Sequence, residues 1–369
     1  IQGGITNSAQ VDAEGFIDGA MVNQTGGTFT VTGALVASDT FNNAGTLEVD
    51  GGDLTGITTL TNTGDVTIAD GQTLAAATIN NNTGGSVSVG VGSTLQGTGN
   101  TLNNNATLDV ATNGAVTDAG AINNNATGVI NFNGPGGSAT LNAGGAGTGT
   151  ITNAGEINVV SGNVSVGNDD VTTSNLIDVA SGSNMSGLAT LEQTAGDIQG
   201  GGTIDVIGGF TQSGGSTGGT VDINAATFAQ SGGATIGAGT TVTSSGAQTL
   251  SGGTIAGNLD GAGAVTVDTA TTSLTGAGAI TGATAIGVVA GGTLASDGDG
   301  IADAATVTNN GVFTLTGDET IGALQGGGTM NLTGATLSTG VTNTSTTFSG
   351  NASGTGGLIK QGTGAFTLS

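Results

Sequence analysis

The residues best placed to do chemistry are carboxylates, because almost nothing else is present. The chain has no His, Cys, Trp or Tyr and a single basic residue, Lys360, among its 369 residues. A Ser-His-Asp or Cys-His nucleophile, a zinc or copper centre of the usual ligands and an arginine clamp on phosphate are therefore excluded. Among the acidic residues, Asp297-Gly298-Asp299-Gly300-Ile301-Ala302-Asp303 alternates carboxylate with glycine, a pattern that lets oxygens converge on a hard cation. Calcium is the one cofactor this suggests, with Asp297, Asp299 and Asp303 as candidate ligands. Ala295 precedes the first of them by two positions, and Thr306 stands where a closing bidentate Glu would be. A cation that wants about six to eight oxygens would find three carboxylates, a carbonyl and water, so the expectation is a weak site or a solvated acidic loop.

Sugar cleavage needs two carboxylates flanking the scissile bond. The acidic clusters on offer are Asp169-Asp170 and the group Asp12, Glu14 and Asp18. Neither has a Trp or Tyr beside it to stack a sugar ring, and Lys360 is the sole candidate for a basic group, so both clusters read as solvated loops. No G-x-G-x-x-G phosphate cradle occurs. The expectation is a non-enzyme without catalytic or cofactor-binding residues. A net charge of −25 repels nucleic acid and anionic lipid. The partners it leaves open are divalent cations, a surface ligand and other copies of the chain.

The elements that hold these residues are visible as an internal repeat. Asn43-Ala-Gly-Thr-Leu47-Glu-Val49 returns as Asn62-Thr-Gly-Asp-Val66-Thr-Ile68 and as Asn153-Ala-Gly-Glu-Ile157-Asn-Val159. From Asn43 to Asn62, Asn81, Asn104 and Asn124 the steps are 19, 19, 23 and 20 residues. Apolar residues alternate over three to five positions within each unit, the period of a short strand with one buried face. No helical spacing is sustained, and Gly, Thr, Val and Asn are poor helix formers. Such a strand cannot bury its face alone, so the units must stack. The expectation is an all-β solenoid, almost free of helix, with roughly 17–18 coils of about 20 residues and a length on the order of 80 Å.

The runs Asn80-Asn81-Asn82, Asn103-Asn104-Asn105 and Asn123-Asn124-Asn125 fall at corners, where stacked amides can form ladders. Asn-x-Ser/Thr triplets such as Asn105-Ala-Thr107 and Asn351-Ala-Ser353 follow from the composition. The nine Phe residues mostly lie in strand-like alternation and read as core. Glycine clusters at Gly134-Pro135-Gly136-Gly137 and Gly200-Gly201-Gly202 read as loops or tight corners. No linker interrupts the chain, so residues 1–369 read as one solenoid. It has three compositional sections, Asn-rich in 1–194, Gly/Thr/Ala-rich in 195–295, and a more apolar 296–369. The apolar density after Val307 predicts the best-protected segment there. No apolar stretch is long enough for a membrane-spanning helix.

The last residues read Gly354-Thr-Gly356-Gly357-Leu358-Ile-Lys360-Gln-Gly362-Thr-Gly364-Ala-Phe366-Thr-Leu368-Ser369. This resembles the passenger-associated transport repeat of Gram-negative autotransporters, with Phe366 in place of the usual Leu and Ile359 in place of the usual Thr. Gly322-Ala-Leu324-Gln-Gly326-Gly-Gly328-Thr-Met330-Asn-Leu332 is similar to the coil that precedes that repeat. The resemblance implies a passenger domain, folded as a right-handed parallel β-helix and exported through the outer membrane to the cell surface or beyond. It also implies a longer parent protein, since family members continue past the position of Ser369. The function it implies is that of an adhesin or stalk. A self-associating structural element and a glycan-active β-helix enzyme are the alternatives. Lys360 then reads as a surface or coil-edge residue.

Overall fold

The computed structural model describes residues 1–118, 120–145 and 147–369. Every regular element among them is a strand. The strands pair in parallel with the equivalent strands of the coils before and after, giving a β-solenoid of about 18 turns of roughly 20 residues. A strand of four residues such as Thr46–Val49 buries alternate side chains, Leu47 and Val49, and turns Thr46 and Glu48 outward. Stacking it between Thr28–Ala37 and Asp65–Ile68 gives its backbone hydrogen-bonding partners on both sides. Burying a side chain of this size contributes about 1.5–3 kcal/mol, which is what sets the strand against the entropy of ordering it.

Two compact units are distinguishable, one formed by Ile1–Leu191 with Gly201–Ile207 and the other by Glu192–Gly200 with Gly208–Ser369. In the first, three stacks of strands run in register. One aligns Leu47, Val66, Val87 and Leu108. A second aligns Leu74, Leu95, Val116 and Leu141. The third aligns Met21, Phe41, Leu60, Ile79, Leu102, Ile122 and Ile151. Leu54–Asn62 serves two stacks by bending at Gly56, whose φ of +81° and approach to the Ala37 carbonyl leave no room for a Cβ. Gly134–Gly137 is not a loop. It lies inside the strand Val129–Asn142, where the register shifts between Asn133 and Ser138. Phe16 departs from the expected core role, since it is 54% exposed, in register with the outward-facing Val36.

The second unit repeats the plan with Thr272, Leu294, Phe313 and Met330 aligned in one stack and Ile223, Val242, Leu259 and Ile280 in another. That second stack then breaks. After Ala279–Thr281 the next coil contributes only the isolated bridge Ile280–Ile301. Pairing resumes as a separate sheet of Glu319–Ile321, Thr336–Thr339 and Gly357–Lys360. The apolar residues expected to protect Val307–Ser369 divide as well. From Val307 to Phe348 all of these except the half-buried Val312 and Val341 are buried, whereas Leu358 and Phe366 are half-buried, Ile359 is 50% exposed and Leu368 58%. The transport-repeat-like segment is itself part of the solenoid, with Leu358 in register with Leu337 and Phe366 with Thr346.

Candidate functional site

The first set of polar residues gathered by the fold is internal. In the first unit, Asn7, Asn23, Asn43, Asn62, Asn81, Asn104, Asn124 and Asn153 all end strands of the third stack and are buried. Each Nδ2 donates to the Oδ1 of the next Asn at 2.8–2.9 Å. Each also donates to a backbone carbonyl at the start of a strand in the following coil, as Asn62 does to Ser86 and Asn124 to Glu156. Those carbonyls fix which end of the amide is the NH2 group, because only a donor satisfies them. Asn153, the last Asn of the run, donates to the Thr173 hydroxyl. An outer ladder joins Asn123, Asn103 and Asn80. The expected corner ladders are thus present, and their donors and acceptors are committed to structure.

In the second unit the same inward position carries Gln193, Gln212 and Gln230, and the donors point the opposite way, Gln230 to Gln212 and Gln212 to Gln193 at 3.1 Å. The next coil interrupts the column. Gln248 occupies the position of Phe228, and Leu250 the position of Gln230. Gln248 is buried between Phe228 and Val265 with neither end of its amide hydrogen-bonded, and the Gln230 Oε1 is likewise unpartnered.

The candidate calcium ligands are not brought together. Among the described residues no group of three or more Asp or Glu side chains is arranged to hold a metal ion. Asp297, Asp299 and Asp303 are all exposed. The Asp297 carboxylate accepts from the Gly276 amide at 2.7 Å on the preceding coil. Asp299 adopts a left-handed φ of 53° and donates its backbone N–H to the Asp318 carbonyl. The residue that does face inward at this place is Glu319, which the sequence reading passed over. It is 2% exposed, accepts from Ser296 Oγ at 3.2 Å and Gly300 N–H at 3.0 Å through Oε2, and accepts from its neighbour Thr320 through Oε1. Burial pushes its carboxyl from the ordinary 4.5 up to about 7, against the lowering effect of those hydrogen bonds. A signal was available, because Glu319 shares strand parity with Ile321, which is core.

The other acidic clusters separate in the same manner. Asp169 is fully buried, a correction to its reading as a solvated loop, and its carboxylate gathers the N–H groups of Ala143, Gly144 and Gly149. Asp170 accepts from the Thr190 hydroxyl. Asp12, Glu14 and Asp18 stay at the surface, where Asp12 accepts from Gln10 and Asp18 from Ser38. Lys360 is exposed, and its ammonium caps the carbonyls of Gln361 and Gly362. An open depression of about 490 Å³ in the second unit is lined by Thr308, Gln325, Thr346, Thr347 and Thr367 and contains no carboxylate. Asp70 and Asp109 border another of about 300 Å³ in the first unit, but Asp70 is engaged by the Val91 N–H and Asp109 by Asn131. No family profile, curated protein or solved structure matches the chain.

Proposed function

We propose that the chain is a non-enzymatic passenger segment of an autotransporter-like protein, displayed outside a bacterial cell as an adhesin or stalk. The observation that carries this reading is the incorporation of Gly357–Lys360 and Phe366–Leu368 as strands stacked in register on the coil before them. A motif stacked in register on the coil before it adds a neighbour interface to the solenoid, which is consistent with a terminal coil that supports folding of the rest. The polar ladders support it further, since their amides bond to one another and to the backbone as a rigid rod requires. Fusing the chain to an outer-membrane barrel and measuring attachment of the displaying cells to host cells, abiotic surfaces and each other tests the reading. Attachment above that of cells displaying the barrel alone is expected, and its absence on all three would overturn it. Self-association is the second reading, favoured by the exposed pair Phe16 and Val36 on one face. It requires a concentration-dependent rise in size by light scattering, lost in Phe16→Ser.

A further inference from the structure

In the second unit, the stack that contains Ala279–Thr281 is interrupted, and only the Ile280–Ile301 bridge spans Asp297–Asp303 before pairing resumes at Glu319–Ile321. A strand missing from a parallel stack leaves amides that must find other acceptors. Here the Glu319 carboxyl is one of them, since it takes the Gly300 N–H and the Ser296 hydroxyl from the irregular coil. The Ser296 hydroxyl in turn accepts the Gly298 N–H, and the Asp318 carbonyl accepts that of Asp299. One buried side chain therefore fastens the irregular coil to the sheet beyond it.

We propose that this seam is a proton-controlled weak point, closed when Glu319 is neutral and loosened when it ionises. The titratable groups on the segments packed against it are Asp297, Asp299 and Asp303 on the irregular coil and Asp318 beside it, all exposed. Thr293–Ser296, Ala279–Thr281 and Thr336–Thr339 contribute none. The single basic side chain, Lys360, lies on the strand beyond Thr336–Thr339 with its ammonium on the Gln361 and Gly362 carbonyls. An ionised Glu319 would therefore keep its hydroxyl and backbone donors but, among the described residues, gain no counter-charge to offset its burial.

The direction follows from linkage. Below the ordinary value of 4.5 folded and unfolded chains both hold the proton; between there and about 7 the folded chain alone holds it. Stability of the seam falls with rising pH across that window and stays at the lower level above it. The chain has no cysteine, so the thiol of Ile301→Cys is a single reporter of opening. Its reaction with a dipyridyl disulfide, relative to the same chain unfolded in urea at each pH, gives a protection factor. We expect protection to fall about tenfold or more between roughly pH 5.5 and pH 8.5 and to be pH-independent in Ile301→Cys/Glu319→Gln. An equal fall in the Glu319→Gln background, or no fall without it, overturns the proposal. Carbon-13 titration of the five Glu carboxyls of the unaltered chain is the independent arm should the double variant not fold. One carboxyl titrating near pH 7 supports the seam, and five titrating below about pH 5.5 overturn it.

Discussion

The two units solve the same problem with different amides. The first places Asn at the inward corner of coil after coil and loses no donor, whereas the second begins with Gln, breaks its column at Gln248 and leaves Gln230 and Gln248 with unmade hydrogen bonds. The cause is a transposition. In the strand Thr227–Ser231 the inward pair reads Phe228 then Gln230, and in Gln248–Ser251 it reads Gln248 then Leu250. Both orders satisfy the alternation of apolar and polar faces, but only one stacks amide on amide. A buried amide in a column stabilises, and the same amide one position out of line costs the full desolvation of its polar atoms.

The largest effect should come from breaking the good column. Asn62→Ala strands the Asn81 Oδ1 and the Ser86 carbonyl and removes the acceptor of Asn43. We expect a loss of about 3–5 kcal/mol in local stability, read by hydrogen exchange of the coils from Phe41 to Val89. Asp169→Asn comes next in the same unit, because an NH2 group would then confront the N–H groups of Ala143, Gly144 or Gly149. Denaturant unfolding should show a loss of about 2–3 kcal/mol, and a change under about 0.5 would mean that this carboxylate is dispensable.

A gain is expected in the second unit. The double variant Gln248→Leu/Leu250→Gln restores the order of the preceding coil, setting an apolar side chain on Phe228 and an amide against the Gln230 Oε1. Thermal unfolding should move upward by the equivalent of about 1–2 kcal/mol, and a downward move would refute the transposition as the source of the orphaned amides. The smallest effect concerns cations. With the three candidate ligands apart, sodium chloride at equal ionic strength should reproduce any rise in melting temperature produced by calcium, in the parent and in Asp299→Asn alike. A calcium-specific rise lost in Asp299→Asn would instead establish a site there.

The solenoid was legible because its period is written directly in the Asn steps and its strands in the alternation of Leu47 and Val49 or Val66 and Ile68. The amide column was legible for the same reason. What escaped was set by the stack and not by local pattern. Asp169 is buried where the N–H groups of Ala143, Gly144 and Gly149 converge on it, and Asp297, Asp299 and Asp303 form no metal-holding group, with Asp297 bonded to Gly276 and Asp299 to Asp318 outside the motif. Phe16 shows the converse, an aromatic turned outward because Ile17 takes the inward position beside it. Glu319 was readable from parity with Ile321, but a lone carboxylate among apolar residues carries no motif to draw the eye.

Alternation alone cannot tell a correct register from a slip of two residues, since both keep apolar side chains inside. The Asn column can. Were Leu54–Asn62 to slip by two on Phe41–Asn43, Leu60 would sit where Asn62 belongs, and the Asn43 amide would face hydrocarbon in place of an acceptor. Each added coil is thereby checked against the one already in place, and a misaligned one is penalised by about 1–3 kcal/mol for each polar atom left bare. In a chain built from near-identical phrases about 20 residues apart, where wrong pairings are numerous and individually plausible, the buried amides act as error correction.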